Sequence, residues 1–198
     1  WLAFTTSNLA SLGASATPNG ELILWDLAAQ KLAQRIVVEE NSGRLSALKF
    51  MHSHGLNLMT GATDGSLQNW RGMPAEKHWD PFQFGYPIRG LDYRPTDSLQ
   101  AAGYGKLFSL WDYRVNRQVF RSERQAANVT DVLFSPNGRH VCFASGTTVQ
   151  IIDADSHYPM ETLSGFAGSV SSIAYFPDGT RLVIVNADGK LMIWRLSP

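Results

Sequence analysis

A single cysteine, Cys142, among 198 residues leaves no possibility of an internal disulfide. Packing and hydrogen bonds must hold the chain together, and one unpaired thiol fits a reducing compartment, cytoplasm or nucleus, better than an oxidising one. Net charge is missing too: 17 Lys and Arg balance 17 Asp and Glu. That removes any global electrostatic pull toward nucleic acid or an anionic membrane, while leaving room for local patches. No apolar run approaches the roughly 20 residues of a membrane-spanning helix, and no stretch keeps the periodicity of an amphipathic helix. A nucleophile elbow, a phosphate loop and a complete Gly-rich dinucleotide fingerprint are all lacking. Gly103-Tyr104-Gly105 comes nearest, and it reads as a tight turn between strands without the helix start that phosphate binding exploits. Neither an enzyme nor a cofactor site is expected. The chain opens at Trp1 without an initiator Met and reads as starting inside a strand.

What is present is a short-strand unit that recurs. Its clearest copy runs from Gly165 to Leu196: Val170–Tyr175 alternates, FPDG turns the chain, Thr180–Val185 is apolar, NADG turns it again, and Lys190–Leu196 carries a Trp near its end. Aligned on the end of the third strand, the sequence holds Trp25, Trp70, Trp111, Ile152 and Trp194 at spacings of 45, 41, 41 and 42 residues. A period of roughly 40 to 45 residues is that of a four-stranded propeller blade. Such a unit cannot bury both faces of its sheet alone, so a repeated neighbour is the physical expectation.

The expected blades are about 1–40, 41–83, 84–124, 125–165 and 166–198 of one region, 1–198. In the first, Trp1–Phe4, Asn8–Ser15, Glu21–Leu27 and Lys31–Val38 read as strands. In the second, the outer strand is expected within Glu76–Trp79, with DPFQFGYP (Asp80–Pro87) as the connection to the third. The final unit lacks an outer strand.

The Gly165–Leu196 pattern resembles a WD40 repeat, and the chain resembles a divergent member of that β-propeller family. The resemblance implies an all-β fold of about five blades. Because the family usually closes with about seven, two readings stand: a C-terminal portion of a longer propeller, or a smaller or open array. The family's buried network of His, Ser or Thr, Asp and Trp survives only in part. The positions matching its His are Asn41, Phe84, Gln125 and Phe166. Its turn Asp remains as Asp64 and Asp188, and Thr60, Asp64 and Trp70 keep the best remnant. The Trp-Asp ends survive as Trp25-Asp26 and Trp111-Asp112, with Asp153 at the matching place in the fourth unit. Packing is expected to carry more of the stability than in a complete network.

Each potentially chemical residue has a plainer reading. One Trp per unit reads as core packing. His52 and His54 share a strand face but have no further ligands for zinc, and read as a hairpin turn. Asp153 and Asp155 read as turn chemistry. Asn128-Val129-Thr130 matches a glycosylation acceptor and is taken as coincidence. Arg114, Arg117, Arg121 and Arg124, near Tyr113 and Phe120, read as protection of an outer strand edge, with an acidic or nucleic-acid contact as the alternative.

By position in the family, the docking face would hold Asn41, Arg44, Phe82, Phe84, Tyr86, Tyr104, Arg124, Gln125 and Phe166. Aromatic and Arg side chains dominate binding when desolvated. Phe82, Phe84 and Phe166 could instead fill the space of the missing His, leaving Tyr86 and Tyr104 as the expected exposed anchors. The resemblance therefore implies a non-enzymatic scaffold for a protein partner within a multiprotein complex. Membrane, nucleic acid and small-molecule partners are not expected. Two alternatives are a sensory or autoinhibitory C-terminal propeller of a larger signalling ATPase or kinase, and a structural subunit of a ribonucleoprotein or pore assembly.

Overall fold

The computed structural model describes residues 3–7, 11–17, 20–38, 44–51 and 57–196. Among these are nineteen strands and no helix, in five antiparallel sheets. The first sheet is β1 (Ala3–Ser7), β2 (Leu12–Ala16), β3 (Glu21–Asp26) and β4 (Lys31–Val37); the second is β5 (Leu45–Phe50), β6 (Asn57–Ala62), β7 (Ser66–Arg71) and β8 (Glu76–Gln83). The third is β9 (Ile88–Tyr93), β10 (Leu99–Tyr104), β11 (Leu107–Asp112) and β12 (Arg117–Arg121). The fourth is β13 (Val129–Phe134), β14 (His140–Ser145), β15 (Thr148–Asp153) and β16 (Pro159–Leu163), and the fifth holds β17 (Val170–Tyr175), β18 (Arg181–Asn186) and β19 (Leu191–Arg195). Within each sheet the strands pair in chain order, as WD40 blades do.

Two expectations are corrected. The first strand is described at Ala3–Ser7 and so runs past its expected end at Phe4, in register with β2 from Ala3 opposite Ala16 to Ser7 opposite Leu12. Strand β8 is eight residues long and continues through Asp80–Gln83. The front half of the supposed connection is therefore strand, with Phe82 opposite Leu67 and Gln83 opposite Ser66. The register passes from Leu67 opposite Phe82 to Asn69 opposite His78, so residues 79–81 form a bulge that keeps Pro81 out of the ladder.

The chain divides into two compact units, Trp1–Leu91 and Asp92–Pro198, the division falling within β9. In the first, Leu12, Ala14, Leu22 and Leu24 of one sheet pack with Leu45, Leu48, Phe50, Leu58 and Trp70 of the next. Gln34 on β4 adds a polar clamp, its Oε1 accepting from Ala75 N at 2.6 Å and its Nε2 donating to Ala75 O at 3.3 Å. In the second unit Phe108 stacks on Phe143 with centroids 4.8 Å apart, inside a cluster joining β11, β13 and β14. A further cluster joins β14 and β15 to β17 and β18 through Val149, Ile151, Val170, Ile173 and Leu182.

A repeated defect ties neighbouring sheets together. The inner-strand ladders shift register at Leu45/Ala47, Val129/Asp131 and Val170/Ser172, leaving Ser46, Thr130 and Ser171 as the extra residues. A bulge interrupts the ladder locally, and each hydroxyl donates to a carbonyl of its own partner strand: Gly61 O, Ala144 O and Val185 O at 3.3, 3.4 and 3.0 Å. Ser46 also donates to Ile88 O at 2.6 Å and Thr130 to Val170 O at 2.8 Å, the first residues of the following inner strands.

Candidate interaction surface

In the first unit three segments meet at one end of the second sheet. Thr63 N donates to Arg44 O at 2.9 Å, and Phe84 N donates to Gly65 O at 2.9 Å. The turn between β6 and β7 is thereby fastened to the start of β5 and the end of β8. Asp64 stiffens it, Oδ1 accepting from Ser66 N at 2.8 Å and Ser66 Oγ at 2.7 Å. Gly65 has φ of +90°, and a Cβ there would lie 2.8 Å from both Gly85 N and Tyr86 N. Only glycine meets both demands. On this support Tyr86 is 44% exposed and Arg44 is exposed. Phe82 and Phe84 are half-buried with ring centroids 6.5 Å apart.

Of the residues placed on the docking face in the second unit, two are buried: Tyr104, against its expected exposure, and Phe166, as the space-filling reading has it. Tyr104 is the last residue of β10, opposite Leu107, and only 4% exposed. The Gly103-Tyr104-Gly105 run reads as a turn, but the ladder continues through it and draws the ring inside. Phe166 is also buried, meeting Trp194 edge-on at 6.2 Å within the β14–β18 core; it fills space rather than presenting a surface. Arg124 is exposed. Its neighbour Gln125 is held, Oε1 accepting from Gln150 Nε2 at 2.8 Å and its N–H donating to Lys106 O at 2.9 Å. Asn41, His52 and His54 lie outside the described residues.

The tryptophans are not uniformly core. Trp70 is 2% exposed but Trp25 is 36% exposed, a correction to its expected burial. Ten residues before the five aligned positions stand Ser15, Thr60, Ala101, Cys142 and Ile184. Trp25 Nε1 donates to Ser15 Oγ and Trp70 Nε1 to Thr60 Oγ1, both at 2.9 Å. Where Ala101 supplies no hydroxyl, Trp111 Nε1 turns to Ser109 Oγ at 2.9 Å. Cys142 faces Tyr175 Oη at 2.8 Å instead, and burial pushes its thiol up to about 12.

The Asp residues following these positions cap turns. Asp26 accepts from Ala29 N at 2.8 Å, and Asp112 from Arg114 N at 3.0 Å. Asp153 accepts from Ser156 N at 2.7 Å and from Ser156 Oγ at 2.8 Å, which holds its carboxyl below the usual range. Asp155 bonds Arg94 Nη1 at 2.7 Å, and that bond likewise lowers it. Both carboxylates are thus engaged structurally. Asp188 is exposed, with Oδ2 so close to Gly168 that a Cβ there would lie 2.6 Å from it. Among the described residues no cluster of His, Cys, Asp and Glu could hold a metal.

Three polar residues were missed at the sequence level, Arg94 and Asp92 buried and Asp131 half-buried. Arg94 Nε donates to Gly138 O at 2.7 Å while Nη1 bonds Asp97 and Asp155, joining three turns. Asp92 accepts from Phe134 N at 2.7 Å. Asp131 accepts from Ile173 N and Ser172 Oγ, each at 3.0 Å, and burial raises its carboxyl above the usual range. A lone Asp inside an otherwise apolar inner strand was the available signal.

Comparison with known proteins agrees with this architecture. Residues 116–153 and 157–195 match the description "WD domain, G-beta repeat". The chain is 30% identical over half its length to the Arabidopsis thaliana transcriptional corepressor LEUNIG_HOMOLOG, covering 13% of it. It is 27% identical over 56% of its length to the Schizosaccharomyces pombe small ribosomal subunit protein RACK1, covering 38% of that protein. To RACK1y of Oryza sativa subsp. japonica it is 24% identical over 80% of its length, covering half of it. The chain thus spans half or less of these relatives. No helix among the described residues is long and apolar enough to cross a membrane.

Proposed function

The chain is a member of the WD40-repeat family, and on that premise we propose that it is a non-enzymatic docking platform whose first-unit contact face is Arg44, Phe82, Phe84 and Tyr86. Membership supports a protein-interaction role in general. The observation that carries the finer reading is Tyr86: an exposed aromatic seated on a turn that tolerates only glycine at position 65. A ring held by hydrogen-bonded backbone loses little freedom on docking, so its burial by a partner goes largely into affinity. Arg44, whose carbonyl the same turn holds through Thr63 N, offers a donor fork for a carboxylate or carbonyl. Arg124, exposed in the second unit, remains a separate candidate contact. The partner is a protein within a larger complex, in the cytoplasm or nucleus; the relatives' printed names, a ribosomal subunit protein and a transcriptional corepressor, support that placement.

The test places a photo-crosslinking amino acid at Tyr86, and at Asn137 as a control on a different turn, in cells expressing the chain. A partner captured from position 86 and not 137, whose affinity then drops about fivefold or more for Tyr86→Ala, supports the reading. Equal capture from both positions overturns it. A second reading, a structural subunit of a ribonucleoprotein, rests on the ribosomal relative alone, and would show as RNA-dependent recovery of the same complex.

A further inference from the structure

The outer strand of the third sheet, β12, differs from the other outer strands in its charge. Residues 113–124 carry Arg114, Arg117, Arg121 and Arg124 against one acid, Glu123. All four guanidinium groups are exposed, and none is in an ion pair among the described residues. If these charges only discouraged edge-to-edge pairing, the other outer strands would need the same device. They carry less of it: β4 has Lys31 and an Arg35 paired with Glu21 at 3.5 Å, β8 mixes Glu76 and Asp80 with Lys77, and β16 carries Glu161 and no cation.

Register places the arginines on both faces of the strand. Arg117 lies opposite Asp112 and Arg121 opposite Ser109, with a bulge between Leu110 and Trp111 that skips Val119. Directly opposed residues share a face. Arg121 therefore lies with Ser109 and Trp111, which are joined by a side-chain hydrogen bond, and Arg117 lies on the other face with Leu110 and Phe120. The nearby aromatics are occupied. Tyr113 packs on Tyr93 at 5.5 Å, and Phe120 is sandwiched between Phe108 at 6.0 Å and His157 at 4.9 Å. A single-stranded nucleic acid needs free rings for its bases to stack on, and β12 offers none.

We infer that the free edge of β12 is a second docking site, accepting an extended acidic peptide as an added strand with carboxylates on both faces beside Arg117 and Arg121. Main-chain bonds would supply affinity, and the guanidinium groups would supply the preference for acid. This goes beyond the contact face proposed for the first unit and does not depend on it.

The test uses the whole chain and a fluorescein-labelled peptide of repeated Glu-Glu-Val-Val, whose carboxylates fall on both faces of an extended strand. Comparison probes are its Lys-Val twin, a version N-methylated on every backbone amide so that neither edge can donate, and oligouridylate RNA. The inference expects saturable binding of the Glu-Val peptide, weakened by added salt and by roughly tenfold in Arg117→Glu/Arg121→Glu, with no binding of the Lys-Val or N-methylated forms. Should that variant lose the wild-type circular dichroism spectrum, the neutral pair Arg117→Gln/Arg121→Gln is read in its place, with a loss of about threefold. Equal binding of the Lys-Val or N-methylated peptide, tighter binding of the RNA, or unchanged affinity in a folded variant overturns the inference.

Discussion

Trp70 donates its indole N–H to Thr60 Oγ1 at 2.9 Å, with both residues 2% exposed. Replacing Thr60 with Val keeps the shape and removes the acceptor, leaving a buried donor unpaired at a cost of about 1–3 kcal/mol. Ser15→Ala breaks the matching bond to Trp25, but that ring is 36% exposed and water can replace the hydroxyl. Its cost should stay below about 1 kcal/mol. Urea midpoints of the two variants check the order.

A methyl group placed on Gly103 would stand 2.6 Å from Val129 Cγ1. Gly103→Ala should therefore destabilise by about 1–3 kcal/mol through overpacking. Adding Val129→Ala removes the colliding methyl, so the double variant should be more stable than the sum of the two singles. Strictly additive unfolding data would contradict the close approach.

Cys142 is fully buried with its thiol raised to about 12. Thiolate is the reactive form, so a thiol reagent at neutral pH should leave the native chain unlabelled. Modification should track unfolding of the fourth sheet, and rapid labelling of the native chain would contradict this placement.

Asp178 is held at about 2 by Thr180 N, by Arg181 and by Thr180 Oγ1. Its folded value lies below the ordinary carboxyl value of about 3.9. The stability it contributes is therefore present above that value and is lost as pH falls toward 2. Asp178→Asn should flatten the pH dependence of the thermal midpoint in this window, read by scans at successive pH values.

Tyr86 and Tyr104 should separate cleanly. Tyr86→Ala is expected to weaken partner capture with little change in thermal midpoint. Tyr104→Ala empties a buried site and should cost about 3 kcal/mol or more, seen by denaturant unfolding.

The repeat was readable because alternation, turn pairs such as Asp64-Gly65 and the recurring Trp each report on local geometry. Strands such as Ile88–Tyr93, Leu107–Asp112 and Val170–Tyr175 stand where that pattern puts them. What stayed hidden depends on neighbours distant in the chain. Tyr104 has the flanking glycines of a turn, and only its pairing with Leu107 shows it to be strand. Phe166 looks like an available aromatic until Trp194 is placed against it. Residues 80–83 read as connection, yet β8 continues through them as an outer strand, where a proline is tolerated. Arg94 gathers three turns spread over 61 residues, which no local pattern reports.

The hydroxyls of Ser46 and Thr130 act as detents. Each reaches one carbonyl on the adjoining inner strand, and sliding that strand by a single residue would turn the acceptor away, since successive carbonyls of a strand point in opposite directions. Two small alcohols thus add a directional resistance to shear along the strand axis to that of the packed apolar faces they sit between. Under mechanical load, Ser46→Ala and Thr130→Val should let neighbouring leaves creep before either one unravels.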